Sequence, residues 1–284
     1  MGKKRILYVS QEISPYTKEN KRSNFCMNLP QVVQENDNDI RIFMPKFGTI
    51  NERRHQLHEV IRLSGMNLII DDFDHQLIIK VASVQQSRMQ VYFIDNEEYF
   101  PKRHYLNDPE GNFMQNNDER MMFFCKGVIE TVKKLGWAPD IIHCNGWFSA
   151  LVPMYIKKLY HKDPMFSSTK IYYTVFDNPF KGDLNNSLSE KLLFEDLQDK
   201  DVEMIGNPTF DNLNKFAISY SDAVVQGSKK LSKNLLNFIK NNNIPVLVKT
   251  DDDNFEEQCL SFYDSTEKTK KTKKNKQLVE VVKL

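Results

Sequence analysis

Short apolar runs alternate with amphipathic segments along most of the chain. The runs that read as strands are rich in Ile, Val, Leu, Tyr and Phe and cover residues 5–9, 39–43, 140–143, 170–175, 223–226 and 245–249. Between them lie segments with apolar positions three and four residues apart, of which residues 117–135 are the clearest helix. Since right-handed crossovers join neighbouring parallel strands, the alternation predicts an α/β protein with a doubly wound, mostly parallel sheet.

The segment between residues 58 and 95 follows another pattern. Four strand-like runs follow one another closely there and are separated only by turn-forming residues: 58–63, 67–70, 76–83 and 89–94. Strands this close together cannot be joined by crossover helices, so they favour antiparallel pairing. We therefore expect an antiparallel hairpin insertion beside the parallel sheet.

The alternation of strands and helices stops near residue 250. The remaining stretch contains three consecutive aspartates and a lysine-rich run over residues 266–277, without an apolar period. Such a composition is typical of a disordered, solvated segment. The sequence thus predicts one folded domain over residues 1–250 and a Lys-rich tail over 251–284, with polyanion binding as the alternative role for the lysines.

Composition places the chain among ordinary globular proteins. Its 284 residues are 40% apolar and 27% charged, with a net charge of +1, which gives no argument for a nucleic-acid or membrane partner. No apolar run approaches membrane-spanning length, so a cytoplasmic protein is expected. The four cysteines form no Cys-x-x-Cys pair, and neither a disulfide framework, a metal site nor a cofactor is predicted.

Three loops follow the carboxyl ends of predicted parallel strands, at residues 10–23, 143–148 and 174–182. Because the carboxyl ends of parallel strands meet at one edge of the sheet, these loops should form a cleft. The polar and aromatic candidates for ligand binding in them are Lys18, His143, Asn145, Trp147 and Asp177. A strand-end histidine is also commonly structural, and Trp147 can equally pack beneath the cleft.

The same loops resemble those of bacterial glycogen synthases and plant starch synthases. Residues 140–147 read Asp-Ile-Ile-His-Cys-Asn-Gly-Trp, similar to the Asp-x-x-His-x-His-Asp-Trp of that family. Residues 174–182 read Thr-Val-Phe-Asp-Asn-Pro-Phe-Lys-Gly, similar to its Thr-Ile-His-Asn-x-x-Tyr-x-Gly. Further matches make the resemblance extend over roughly residues 4–240, and it implies the amino-terminal Rossmann-like half of a B-type glycosyltransferase.

This chain departs from the family pattern where the family binds its substrates. Residues 18–22 read Lys-Glu-Asn-Lys-Arg, whereas the family has Lys-x-Gly-Gly-Leu, whose glycines let the backbone approach the diphosphate of a nucleotide sugar. Asn145 and Gly146 replace the second His and the Asp of the strand-end motif. Phe176 and Asp177 replace the His and Asn of the next loop. The resemblance also implies a second catalytic lobe, for which no room is expected after residue 250.

Three functional hypotheses follow from this resemblance. The first is a glycogen or starch synthase-like domain in polysaccharide metabolism that is not catalytic alone, with Lys18, His143, Asn145, Trp147 and Asp177 facing a nucleotide sugar such as ADP-glucose or an α-glucan. The second is a glucosyltransferase completed by a partner chain. The third is an interaction protein with a vestigial cleft. An apolar patch or sheet edge left exposed would favour a homo-oligomer.

Overall fold

A mixed sheet of ten strands forms the centre of the protein in the computed structural model, which describes residues 3–84, 87, 89–249 and 254–266. Its strands are β1 (Arg5–Ser10), β2 (Asp39–Pro45), β3 (His58–Glu59), β4 (Met66–Ile70), β5 (Phe73–Ser83), β6 (Gln90–Asp95), β7 (Ile141–Asn145), β8 (Lys170–Val175), β9 (Ala223–Gln226) and β10 (Val246–Val248). The order is β10-β9-β8-β7-β1-β2-β6-β5-β3, and β4 pairs with β5. Every pair from β10 to β6 is parallel, which confirms the predicted fold class.

Helices cover both faces of this sheet. The structure contains α1 (Lys21–Glu35), α2 (Asn117–Leu135), α3 (Val152–Lys158), α4 (Leu188–Leu193), α5 (Asp199–Val202), α6 (Phe210–Ser219), α7 (Lys233–Asn241) and α8 (residues 255–266). Consecutive crossovers place α2, α3, α6 and α7 side by side on one face, as right-handed connections from β6 through β10 require. The helix predicted over residues 117–135 has these same bounds.

The hairpin insertion is present, although its first and last runs differ from the prediction. β3 is only two residues long, and β4 and β5 form the main hairpin. A two-residue turn at Asp71 and Asp72, with φ of 48° and 66°, joins them, as hairpin twist favours. β6 pairs antiparallel with β5 and also parallel with β2. The fourth run therefore belongs to the main sheet rather than beside it.

Residues 255–266, which lie beyond the predicted domain end at residue 250, form a helix that packs on the sheet. The helices of the crossovers from β6 to β10 lie on the other face of β7 and β8, while α1 packs against β2. α8 covers its face of these two strands with three buried side chains one turn apart, Phe255, Cys259 and Tyr263. On β8, the hydroxyl of Tyr172 donates to the Tyr263 carbonyl at 3.5 Å. Residues 267–284, which contain all the lysines of the predicted tail, lie outside the described residues.

Candidate ligand cleft at the strand ends

The carboxyl ends of β1, β7 and β8 lie side by side, as the sequence predicts. The pairing register aligns Ser10 with Asn145, and Asn145 with Thr174. The Asn145 Nδ2 atom donates to Ser10 Oγ at 3.1 Å. The backbone N–H of Gly146 donates to the carbonyl of Thr174 at 3.1 Å. The three loops that follow these strands therefore start from one rigid, hydrogen-bonded edge.

His143 lies beneath this edge rather than in the cleft. Its side chain is fully buried, with Nδ1 2.5 Å from the hydroxyl oxygen of Tyr263 and Nε2 2.6 Å from Thr174 Oγ1. Burial lowers the pKa of His143 to about 3, because a charged imidazole would lose its hydration there. A neutral ring can donate at one nitrogen and accept at the other, so both nitrogens are engaged within the fold. These contacts are those of a histidine with a structural role, the alternative to ligand binding that the sequence left open.

Two buried acceptor oxygens at the strand ends lack donors. Asn145 is 2% exposed and Gln11 is 5% exposed, and within the described residues neither Asn145 Oδ1 nor Gln11 Oε1 has a hydrogen-bond partner. Gly146, the residue after Asn145, has a positive φ of 81°. A β-carbon there would lie 3.8 Å from Gln11 Oε1 and 3.7 Å from Phe176 Cδ2. The edge thus presents acceptors beside an aromatic ring and a glycine.

Gln11 was not among the candidates from the sequence. A glutamine directly after a strand is an ordinary loop residue, and nothing in its spacing marks it. Its importance arises from burial without a donor, which only the three-dimensional arrangement shows. Its Nε2 atom has one distant partner, the hydroxyl of Tyr105 at 3.5 Å.

Trp147 packs under aromatic side chains of two neighbouring loops. Its ring lies 4.8 Å from that of Phe180, measured between centroids, and Phe180 in turn stacks on Phe113 at 5.4 Å. The loop that carries Phe180 packs closely against Phe113, since a β-carbon at Gly182 would lie 2.8 Å from Phe113 Cβ. Trp147 is therefore buried, and a sugar ring could stack on it only after Phe180 had moved.

The loop before α1 ends in a closed network of polar side chains. Asn20 caps the helix, and its Oδ1 accepts the backbone N–H groups of Arg22 and Ser23 at 2.8 and 3.1 Å. The Asn20 amide donates to Glu12 Oε2 at 2.8 Å, and Arg22 Nε donates to Glu12 Oε1 at 2.6 Å. Glu12 itself is buried. The N–H groups of Arg22 and Ser23, in the first turn of α1, are consequently satisfied by the chain itself.

Lys18 and Asp177 are the exposed members of the predicted set. The Lys18 carbonyl accepts from Ser23 Oγ at 3.1 Å, which fixes the backbone and leaves the ammonium group in solvent. The Asp177 N–H donates to Ser228 Oγ at 2.9 Å. Asp177 also lines an open cavity of about 440 Å³ between the starts of α6 and α7, beside Thr209 and Ser232.

The described residues offer no group of three or more His, Cys, Asp or Glu side chains arranged to hold a metal ion. All four cysteines are free and buried. Across the same part of the chain, no helix combines the length and apolar character needed to cross a membrane.

A parallel α/β sheet with a polar cleft above its strand ends is the architecture of one lobe of a B-type glycosyltransferase. The chain belongs to the starch synthase catalytic domain family, whose pattern matches residues 5–247. The glycogen synthase of Chlorobium limicola is 38% identical over 194 residues, which cover 68% of this chain and 40% of that protein. The glycogen synthase of Chlorobaculum tepidum is 34% identical over 233 residues, covering 82% and 47%.

A solved structure supports the same fold. The catalytic domain of starch synthase IV from Arabidopsis thaliana, bound to ADP and acarbose, superposes with a TM-score of 0.70 at 18% identity. The match covers 87% of this chain and 52% of that chain. This chain thus spans about half the length of the relatives and of the structure that it matches.

Proposed function

We propose that this chain acts in glycogen or related polysaccharide metabolism as a glycogen synthase-like lobe that does not transfer glucose by itself. The family membership supports the metabolic context. The carrying observation is that the buried side chains at the strand ends supply no positive charge: Gln11, Asn145 and Phe176 are neutral, and His143 is held neutral beneath them, while Lys18 lies at the exposed rim. Glucosyl transfer from a nucleotide sugar develops negative charge on the leaving diphosphate and needs preorganised donors or cations there.

The ligands in this proposal are an α-glucan or a nucleotide sugar such as ADP-glucose. Asn145 is the predicted residue with a free buried acceptor, while Lys18 and Asp177 lie exposed at the cleft rim. His143 and Trp147 support the site from below, through Thr174 and Phe180. The expected cytoplasmic location remains part of the proposal.

Incorporation of labelled glucose tests the proposal directly. The purified protein is incubated with labelled ADP-glucose and glycogen, beside the glycogen synthase of Chlorobaculum tepidum as a positive control. We expect label in precipitated glycogen to stay at the protein-free background, because the buried strand-end residues offer no positive charge to the leaving diphosphate. Incorporation above that background by this chain alone would refute the proposal.

A glucosyltransferase completed by a partner chain is the second candidate. It is favoured by the exposure of Lys18 and Asp177 at the strand-end side of the sheet, where a second lobe could reach both side chains. Under this hypothesis, adding the partner restores incorporation, and Asp177→Asn reduces it without changing the unfolding midpoint. Absence of incorporation with every partner tried, while the positive control is active, contradicts it.

A further inference from the structure

We propose that a cavity beside α1 binds a small phosphate monoester, with Arg54 and Tyr16 as its principal donors. The cavity has a volume of about 500 Å³, which is within the range of small-molecule sites in proteins. It is separate from the predicted ligand residues at the strand ends, since neither Lys18, Asn145 nor Asp177 lines it. Such a site goes beyond the proposed function and does not depend on it.

Four segments that are distant in sequence form the walls of this cavity. One flank of α1 contributes Met27, Asn28 and Gln31, of which Met27 and Gln31 stand one turn apart on the same face. The other walls are residues 14–16, 54–56 and 83–84. Both polar and apolar side chains line the cavity, as a ligand with a charged group and an organic body requires.

Arg54 supplies the positive charge of the cavity. A short turn holds its backbone, since Asn51 Oδ1 accepts the Arg54 N–H at 3.0 Å and the Asn51 carbonyl accepts the His55 N–H at 3.2 Å. No carboxylate in the described part of the chain pairs with the Arg54 guanidinium, and none of the lining residues is acidic. Glu35 accepts from Gln31 Nε2 at 2.9 Å but does not line the cavity. An unpaired guanidinium can bind two phosphate oxygens at once.

The acidic side chain of the same turn, Glu52, is already paired with cations. It accepts from Lys46 Nζ at 2.7 Å and from Lys80 Nζ at 2.9 Å. Lys80 also pairs with Asp95 at 2.8 Å. Two carboxylates thus face two ammonium groups where the turn is attached to the sheet. The charge of Arg54 is therefore left for an anion from solution.

Tyr16 supplies a second donor from the inner wall. It lines the cavity although it is only 7% exposed. Its ring lies edge-on to His55 and to Phe93, with centroids 5.0 Å apart in both pairs. Burial raises the pKa of its hydroxyl to about 12, so the hydroxyl keeps its proton at neutral pH. No hydrogen bond joins this hydroxyl to another described residue, and it can donate to a phosphate oxygen in the cavity.

The number of donors favours phosphate over carboxylate. Besides Arg54 and Tyr16, the Asn28 amide and the hydroxyls of Ser14 and Ser83 line the cavity. A phosphate monoester presents three acceptor oxygens and up to two negative charges, whereas a carboxylate presents two oxygens in one plane and a single charge. Apolar contact for the organic part of the ligand is available from three further side chains, Pro15, Met27 and Val84.

Titration calorimetry with phenyl phosphate tests this site. The wild type should bind phenyl phosphate more tightly than inorganic phosphate, which has no organic body, and more tightly than benzoate, which carries one charge. Arg54→Gln should weaken phenyl phosphate binding about tenfold or more, because a charge-assisted hydrogen bond is lost. Tyr16→Phe should weaken it about fivefold, through the loss of one neutral donor. Neither change should move the unfolding midpoint, because Arg54 is exposed and the Tyr16 hydroxyl has no partner in the described chain.

Two control variants locate the binding site. Arg53→Gln removes the neighbouring charge, and Arg53 is exposed and lines a different cavity, beside Glu52 and His58. Lys18→Gln removes the cation at the rim of the strand-end cleft. Phenyl phosphate affinity should be unchanged in both variants.

Four results would overturn the proposal. A loss in Arg53→Gln equal to that in Arg54→Gln would mean that the whole basic turn attracts anions without a defined site. A loss in Lys18→Gln with none in Arg54→Gln would place the anion at the strand-end cleft. Benzoate that binds as tightly as phenyl phosphate would exclude a phosphate-selective site, and a wild type that binds none of the three probes would exclude any site. Glucose incorporation is measured separately, so each result leaves the proposed function to its own test.

Discussion

His143 lies under the strand ends with both ring nitrogens hydrogen-bonded, and its burial holds the imidazole neutral in the folded protein. Its pKa falls from 6.5 to about 3 on folding, through burial. Below pH 6.5 His143 is protonated in the unfolded chain but not in the folded protein, so stability is lost as pH falls toward 3. Between pH 7 and pH 5 this one group should lower the free energy of unfolding by about 2 kcal/mol.

Urea unfolding at the two pH values measures this contribution. His143→Gln cannot titrate, so its free energy of unfolding should fall less than that of the wild type by that amount. His161→Gln provides the comparison, because His161 is exposed and its Nδ1 atom lies 2.8 Å from the carbonyl oxygen of Lys158. An identical pH dependence in His143→Gln and the wild type would show that the buried ring is not the source.

At the scale of elements, α8 is the part of the fold that completes the second sheet face. Its Tyr263 hydroxyl lies 2.5 Å from His143 Nδ1 and 3.4 Å from the hydroxyl of Tyr8. Tyr263→Ala would leave a cavity over β7 and remove the partner of His143. We expect a loss of about 3–5 kcal/mol in the free energy of unfolding, measured with urea.

Ser261→Ala is the matched control, since Ser261 lies on the exposed side of the same helix. Its effect should stay within about 0.5 kcal/mol. A small loss in Tyr263→Ala, comparable with that of Ser261→Ala, would mean that α8 contributes little to the stability of the sheet.

The contrast between α2 and α8 shows what the sequence can predict. The helix Asn117–Leu135 has apolar positions over five turns, and its periodicity gave both ends correctly. The buried positions of α8 are only Phe255, Cys259 and Tyr263, and they stand among acidic and polar residues that suggest a tail. A helix of that composition is held by the sheet area that it covers. That area can be identified only once the strand order is known, so the local sequence pattern alone could not predict α8.

Some residues of the candidate site could be predicted from the sequence, and others could not. Asn145 and Asp177 could be found from the strand-end motifs because the resemblance places them there. The burial of His143 depends on contacts between segments far apart in sequence, such as the one with Tyr263. Asn20 caps α1 through Arg22 and Ser23, only two and three residues away. A buried acceptor without a hydrogen-bond partner, such as Gln11 Oε1, likewise results from the way the folded chain packs.

At the scale of the whole molecule, the hairpin insertion presents an apolar surface to solvent. Ile61, Ile69 and Phe73 are 84%, 59% and 69% exposed, and in the described part of the chain β4 pairs on one side only, with β5. Exposed apolar groups beside an open strand edge favour association between copies. We therefore expect a dimer or larger species in sedimentation velocity at micromolar concentration.

Two substitutions on the hairpin test this expectation. Ile69→Ser combined with Phe73→Ser should shift the protein to the monomer, whereas Leu236→Ser, at a 40% exposed position on α7, should not. A wild-type protein that sediments as a monomer over the whole concentration range would contradict this prediction, and the hairpin would then be an ordinary solvent-facing edge.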